Sequence, residues 1–212
     1  MAMYSLHTVK KIADVPKAKW DAIAPDPFMT YGWLQTVEKT YLGGVRPSYH
    51  MAWDGDSLIG AAIAYLVEKD RRLFSIDNFL LGRFEKYTRK LGITFLPAML
   101  CGSMAFEGGH TMLDGKRSPN ERDQMRSLLL EAIETEARCQ NLPVCFSHIK
   151  DEEHPLANML EDRGYDHALI PPTYYLDIDW TSFDDYLSDP KRISKNRRRT
   201  IMNEINRNRK EN

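Results

Sequence analysis

A β-hairpin in the first third of the chain constrains the fold more than any other sequence feature. Residues 49–53 have the composition of a strand, Asp54-Gly55-Asp56 contains a strong hairpin signal, and residues 58–67 form the returning strand. That second strand, LIGAAIAYLV, is almost continuously apolar, so both of its faces must be covered. A hairpin whose second strand lies inside a covered sheet predicts an α/β fold with a mixed central sheet flanked by helices.

Two helices with clear end signals are predicted to cover that sheet. Ser118 to Glu121 reads SPNE, a capping box with proline at the first helical position, and an apolar stripe follows over residues 125–137. A second helix begins at His154-Pro155 and ends before Gly164, where a positive φ is wanted.

Three more helices are predicted from residues that can cap or start them, and five more strands from their composition. Thr30 is predicted to cap a helix with an apolar stripe, Ser182 to cap a short helix, and Asp189-Pro190 to start a helix that runs into a basic tail. Further strands are predicted at residues 4–9, 73–76, 94–101, 144–148 and 174–178.

Composition excludes several classes of protein. The 212 residues are 42% hydrophobic and 28% charged, close to globular averages, and no apolar run approaches the ~18 residues of a spanning helix. The N-terminus has no signal-peptide pattern, so a cytoplasmic location is predicted. Three cysteines are too few for a disulfide framework, and their spacing with His148 lacks a fourth zinc ligand, so no metal site is predicted.

Positive charge is concentrated at the end of the chain. Residues 191–212 hold nine Lys and Arg against two acids, whereas the rest holds 20 against 28. Lys195, Arg197, Arg198 and Arg199 are therefore candidate contacts to a phosphate-bearing substrate or RNA. The alternative is a solvated or interlobe helix whose arginines pair with the acidic body.

Eight short motifs occur in a distinctive order. They are W-D at 20–21, P-F at 27–28, W-L at 33–34, I-G-A-A at 59–62, F-S-I-D at 74–77, F-L-P at 95–97, L-x-x-x-G-Y at 160–165 and F-D-D-Y-L at 183–187. The L-x-x-x-G-Y motif resembles the end of the fourth helix in the GNAT (acyl-CoA N-acyltransferase) fold. The other seven, in this order, resemble the FemAB-like group, peptidoglycan biosynthesis/recognition proteins of that fold. Asp26 departs from the group's usual Asn, and Ile63-Ala64 from its usual Pro.

The resemblance implies a GNAT-like lobe over residues 1–180 and, over 181–212, a basic helical segment that begins an incomplete second lobe. It also implies an acyl-CoA or aminoacyl-tRNA donor. Acetyl-CoA enzymes of this fold hold pyrophosphate in a Gly-rich turn before the long helix, but here Asp114 to Ser118 reads DGKRS. A normal CoA site is therefore not expected in this lobe.

Transfer of an acyl group to an amine needs a base that takes the amine's proton. Three residues are candidates: Asp77 at a strand end, Glu38 on the helix after Thr30, and His110 in the loop after Gly108-Gly109. Their alternatives are a turn-capping Asp, a solvated helix residue and an incidental loop histidine. His148 is expected to be a core residue that closes a buried strand.

Two functions from different classes follow. The first is an acyl- or aminoacyl-transferase acting on the amine of a cell-wall precursor, peptide or small metabolite. The second is a non-catalytic single-lobe binding module, because the thin apolar stripe at Ile193, Ile201 and Ile205 would need a neighbour, for example in a homo-oligomer. Neither involves a membrane span.

Overall fold

The computed structural model describes residues 4–40, 45–68, 82–103, 108–168 and 178–211. The chain forms two compact units, residues 1–168 and 169–212. The predicted strand at 73–76, residues 174–177 of another, and Asp77 lie outside the described residues. The division at residue 180 stays a prediction.

Over the described residues, six strands form one mixed sheet in the first unit. They are β1 (Ser5–Val9), β2 (Val45–Asp54), β3 (Ser57–Val67), β4 (Ala98–Cys101), β5 (Met112–Leu113) and β6 (Val144–Phe146). The order is β1-β2-β3-β4-β6, with β5 also paired to β3. All pairs are antiparallel except β4 with β6, which is parallel. The predicted mixed sheet is confirmed.

Strand β3 is the buried centre of this sheet. Its residues 58–67 are all buried, as their apolar sequence predicts. Asp54 pairs with Ser57 across a two-residue turn in which Gly55 has φ +56°, a conformation that glycine adopts at little cost. Side chains alternate between faces, so Tyr49 lies in one core cluster and Ala52 in the other.

Helices cover both faces of the sheet. Helices α1 (Lys17–Ile23) and α2 (Tyr31–Thr40) pack on one face, where Trp20 and Leu34 join the core. Helix α4 (Pro119–Cys139) packs on the other. The remaining helices over the described residues are α3 (Glu85–Lys90), α5 (His154–Asp162), α6 (Phe183–Ser188) and α7 (Lys195–Glu211). None of the helices within the described ranges is long and apolar enough to cross a membrane.

Most helix ends follow their sequence signals. Ser118 and Glu121 form the predicted capping box, Gly164 has φ +83° after α5, and the Ser182 side chain caps α6. The predicted cap at Thr30 is wrong. Its hydroxyl donates to the Pro27 carbonyl (2.7 Å), and the first amide of α2 instead donates to Asp21 Oδ1 (2.7 Å).

The predicted start of the basic helix at Asp189-Pro190 is also wrong. Asp189 closes a single turn by accepting from the amides of Lys191 and Ile193. Helix α7 begins only at Lys195, after Ser194, whose Oγ accepts from the Arg197 amide (3.3 Å). The hydroxyl of Ser194, and not the carboxylate of Asp189, therefore caps the basic helix.

A buried polar network joins β1, β2 and α4. His50 is only 1% exposed, its Nδ1 lies 3.0 Å from Thr8 Oγ1, and its Nε2 lies 3.5 Å from Glu136 Oε2. Glu136 also accepts from Ser48 Oγ (2.8 Å) and pairs with Lys10. Burial lowers the pKa of His50 from 6.5 to about 4, because the opposing pull of Glu136 is smaller and Lys10 adds to the lowering.

This network predicts a pH-dependent stability. The unfolded chain binds a proton at His50 below pH 6.5, whereas the folded chain binds it only near pH 4. The free energy of unfolding should therefore fall by up to about 3 kcal/mol as the pH is lowered from 6.5 to 4. Urea unfolding measured across that range checks it. His50→Gln should flatten the slope, and the exposed control His7→Gln should not; equal slopes in all three proteins would contradict the prediction.

Candidate active site

The first turn of α2 is held in place by the W-D motif. Trp20 Nε1 donates to the Met29 carbonyl (2.8 Å) from a fully buried position, and Asp21 caps α2. Met29 is 1% exposed and packs against Gly109, where an added Cβ would lie 2.7 Å from its sulfur. The motif thus connects the sheet face covered by α1 and α2 to the loop that carries His110.

That loop lies where the pairing of β4 with β6 ends. The register runs from Met99–Val144 to Cys101–Phe146. After these pairs, the Gly102 amide donates to the Ile63 carbonyl (3.1 Å), while His110 Nε2 lies 2.7 Å from the Ser147 carbonyl. Beyond the last β4–β6 pair, the Ser147 carbonyl therefore faces the His110 side chain and not a backbone amide of β4.

His110 is fully buried and uses both ring nitrogens. Nε2 faces the Ser147 carbonyl, and Nδ1 lies 3.1 Å and 3.2 Å from the two carboxylate oxygens of Glu153. A carbonyl and a carboxylate are both hydrogen-bond acceptors, so each ring nitrogen of His110 faces an acceptor. Burial alone would raise the pKa of Glu153, but the hydrogen bond and charge of His110, helped by Lys150, lower it overall.

Glu38 is the second polar centre on the α1–α2 face. It is half-buried, and its Oε1 accepts from the Ile12 amide (2.7 Å) and the Tyr49 hydroxyl (2.8 Å). Within the described ranges Oε2 has no hydrogen-bond partner. Burial chiefly raises the pKa of both Tyr49 and Tyr65. The negative charge of Glu38 adds to the rise at Tyr65, whereas at Tyr49 the neighbouring Tyr65 and then Glu38 add to it, so the carboxylate lies among neutral phenols. Glu38 is therefore not the solvated helix residue of the alternative interpretation.

A continuous run of contacts connects Glu38 to the His110 loop. Tyr49 bonds Glu38 and meets the Trp20 ring edge-on at 5.7 Å. Trp20 bonds Met29, which packs on Gly109, the neighbour of His110. Glu38 and His110 are thus linked indirectly, through Tyr49, Trp20, Met29 and Gly109, while Asp77 lies outside the described residues.

A sequence model of the FemAB-like family, described as peptidoglycan biosynthesis/recognition, matches residues 11–212 of this chain. The chain belongs to the FemAB-like family. Membership implies a role related to peptidoglycan. No curated protein matches the chain.

The W-D and G-Y motifs have structural roles in this FemAB-like chain. Trp20 and Asp21 anchor α2, as above. Gly164 and Tyr165 end α5, and Tyr165 reaches α4 and β6 through Glu134 Oε1 (3.3 Å) and an edge-on contact with Phe146 (5.7 Å). These motifs position the elements around the candidate site.

At the N-terminus of α4 in this FemAB-like chain, the capping box already engages two backbone amides. The Glu121 amide donates to Ser118 Oγ (3.4 Å), and the Ser118 amide donates to Glu121 Oε2 (2.9 Å). Arg117 pairs with Asp54 (2.8 Å) and Glu121 (3.4 Å). A bound phosphate would have to displace these contacts.

The predicted phosphate contacts lie on α7, in the second unit. Lys195, Arg197 and Arg199 are exposed. Arg198 is half-buried, and its Nη2 donates to the Ser188 carbonyl (3.0 Å). Three of the four side chains thus reach solvent, while the fourth also stabilises its own unit.

The prediction that His148 closes a buried strand is wrong. Strand β6 ends at Phe146, and His148 is exposed with φ +60°, while its carbonyl accepts from the Gly108 amide (3.0 Å). The chain leaves the sheet here to meet the His110 loop. Sequence reasoning also missed Glu153, since nothing local connects it to a histidine 43 residues away.

One open groove of about 570 Å³ lies elsewhere, between β1 and α4. Its polar lining includes Lys10 and Glu136 of the His50 network, on the sheet face opposite Glu38. Within the described ranges no cluster of three or more His, Cys, Asp or Glu side chains has the geometry of a metal site.

The packing of His110 makes Gly102 a sensitive position. A Cβ there would lie 2.7 Å from His110 Cδ2, and φ is +109°. Gly102→Ala should lower the free energy of unfolding by about 2–4 kcal/mol. Gly115→Ala is the matched control, because nothing lies within 4 Å of its Cβ position. Urea unfolding of both variants is the measurement, and equal small effects would contradict the assigned packing.

Proposed function

We propose that this chain is an amine-acceptor lobe of an acyl- or aminoacyl-transferase that acts on a peptidoglycan precursor. The observation that carries the proposal is the half-buried carboxylate of Glu38, held at Oε1 by two donors with Oε2 left to accept a proton. Family membership supports the substrate class.

In the proposed reaction Glu38 Oε2 accepts a proton from the acceptor amine. The amine nitrogen attacks the acyl carbon of the donor, a C–N bond forms, and the bond from carbon to the donor's leaving group breaks. The leaving group departs with a proton returned from Glu38. The Ile12 amide and Tyr49 hydroxyl position the carboxylate, and positioning supplies much of the rate in such reactions.

His110 has a different part in this proposal. Both ring nitrogens of His110 are engaged and its side chain is fully buried, so it does not serve as the base. It positions the loop that carries it. The His110–Glu153 pair holds the loop in which Gly109 packs against Met29. Asp77 remains the alternative base proposed from the sequence.

The occupied N-terminus of α4 favours a donor other than acyl-CoA. Aminoacyl-tRNA is the donor we propose, with exposed Lys195, Arg197 and Arg199 as its phosphate contacts.

Glu38→Gln should lower kcat about 10²–10⁴-fold, because the amide cannot take the amine's proton. The assay follows transfer from aminoacyl-tRNA to a lysine-containing muropeptide, with acyl-CoA as a parallel donor. Glu131→Gln, an exposed carboxylate on α4, should leave kcat unchanged.

Asp77→Asn separates the two candidate bases. Full activity of the Glu38→Gln variant, together with loss of activity in Asp77→Asn, would show that Asp77 and not Glu38 is the base. The absence of turnover with either donor in the unmodified chain would overturn the proposed function.

The tail contacts make a separate prediction. Arg197→Gln with Arg199→Gln should weaken tRNA binding and flatten the slope of log association constant against log salt by roughly 0.7–0.9 per contact. Filter binding over a salt series measures this. Lys17→Gln, an exposed lysine of α1, is the control and should leave the slope unchanged. An unchanged slope in the double variant would exclude these arginines as phosphate contacts.

A non-catalytic module is the second candidate function. Met202 on α7 is 39% exposed, and Ile201 and Ile205 are only half-buried, so part of the α7 stripe faces solvent. A homo-oligomer in light scattering without transferase activity would favour this candidate.

A further inference from the structure

Exposed apolar side chains are concentrated around α3. Ten large apolar side chains are exposed over the described residues, and five of them lie between residues 84 and 95. These five, with their exposed fractions, are Phe84 (61%), Tyr87 (67%), Leu91 (76%), Ile93 (54%) and Phe95 (43%). Apolar clustering of this kind on a surface marks an interaction site.

The backbone around α3 presents these side chains in order. Tyr87 and Leu91 are one helical turn apart, and the Leu91 amide donates to the Tyr87 carbonyl (3.3 Å). Gly92, with φ +73°, turns the chain back so that the Ile93 amide donates to the Thr88 carbonyl (2.9 Å). Ile93 therefore extends the exposed apolar row that Tyr87 and Leu91 begin.

A row of positive charge lies beside the apolar row. Lys86 and Lys90 are both exposed and also one turn apart. Arg89 pairs with Glu85, whereas neither lysine has an acidic partner within the described ranges. The chain before residue 191 holds 20 basic residues against 28 acidic ones, so these lysines stand out on an acidic body.

We propose that this surface, Lys86, Tyr87, Lys90, Leu91 and Ile93, docks on an anionic lipid bilayer. Leu91 and Ile93 enter the interface, Tyr87 lies at the headgroup level, and the two lysines pair with lipid phosphates. Apolar side chains bordered by an aromatic ring and unpaired lysines match the chemistry of such an interface, and charge complementarity favours lipid over a neutral apolar partner. With six residues, α3 is far too short to span, so the attachment is peripheral. This inference does not depend on the proposed function.

The test is co-sedimentation of the full chain with vesicles of phosphatidylcholine containing one third phosphatidylglycerol. Leu91→Ser with Ile93→Ser should lower the partition coefficient at least about tenfold by removing inserted apolar surface. Lys86→Gln with Lys90→Gln should lower it by about tenfold or more, and should have no effect on vesicles of phosphatidylcholine alone. All four positions are exposed, so the variants should melt like the unmodified chain.

Two controls separate this surface from others. Phe183→Ser removes a side chain of similar exposure (51%) from the second unit and should not change partitioning. Arg197→Gln with Arg199→Gln should leave the vesicle partition coefficient at high salt unchanged, because the apolar insertion of Leu91 and Ile93 does not depend on these arginines. Failure of the unmodified chain to bind anionic vesicles, or unchanged binding by the Leu91 and Ile93 variant, would overturn the proposal. So would an oligomer in light scattering that this variant dissociates, because a second copy would then be the occupant.

Discussion

Burial of β3 on both faces is the constraint on which the rest of this structure depends. Ten consecutive residues of that strand are shielded from water, which requires a helical layer on each side and a paired strand at each edge. Helices α1 and α2 supply one layer and α4 the other. The two layers then differ in chemistry: one contains Glu38 among tyrosines, and the other contains His50 beside Glu136.

His110 and Glu38 are each paired with groups distant in the sequence. His110 joins Ser147 and Glu153, and Glu38 joins Ile12 and Tyr49. A buried charge without a partner would be costly, so each pair restrains the loops that carry it. The glycines beside His110 allow the approach, since any side chain at Gly102 would occupy the space of the ring. The candidate site is therefore rigid on the side where its loop meets β4 and β6.

Family membership and geometry contribute different things to the functional argument. The FemAB-like family implies a role related to peptidoglycan. The geometry gives a carboxylate with one engaged oxygen, and a long helix whose capping box already engages the Ser118 and Glu121 amides. The proposed membrane-docking surface on α3 uses neither of these features, and it would place the first unit beside an anionic bilayer.

The sequence alone determined the hairpin turn, the capping box at Ser118 and the glycine end of α5, because each depends on contacts within a few residues. The mixed sheet was predicted from the continuous apolar run of β3, which needs cover on both faces. The sequence also predicted Glu38 and His110 as candidates. Tertiary structure decided how they are used: Asp21 rather than Thr30 caps α2, His148 leaves the core, and Glu153 pairs with His110. These outcomes depend on groups 10 to 43 residues apart, whose meeting is set by the packing of the sheet and not by local pattern.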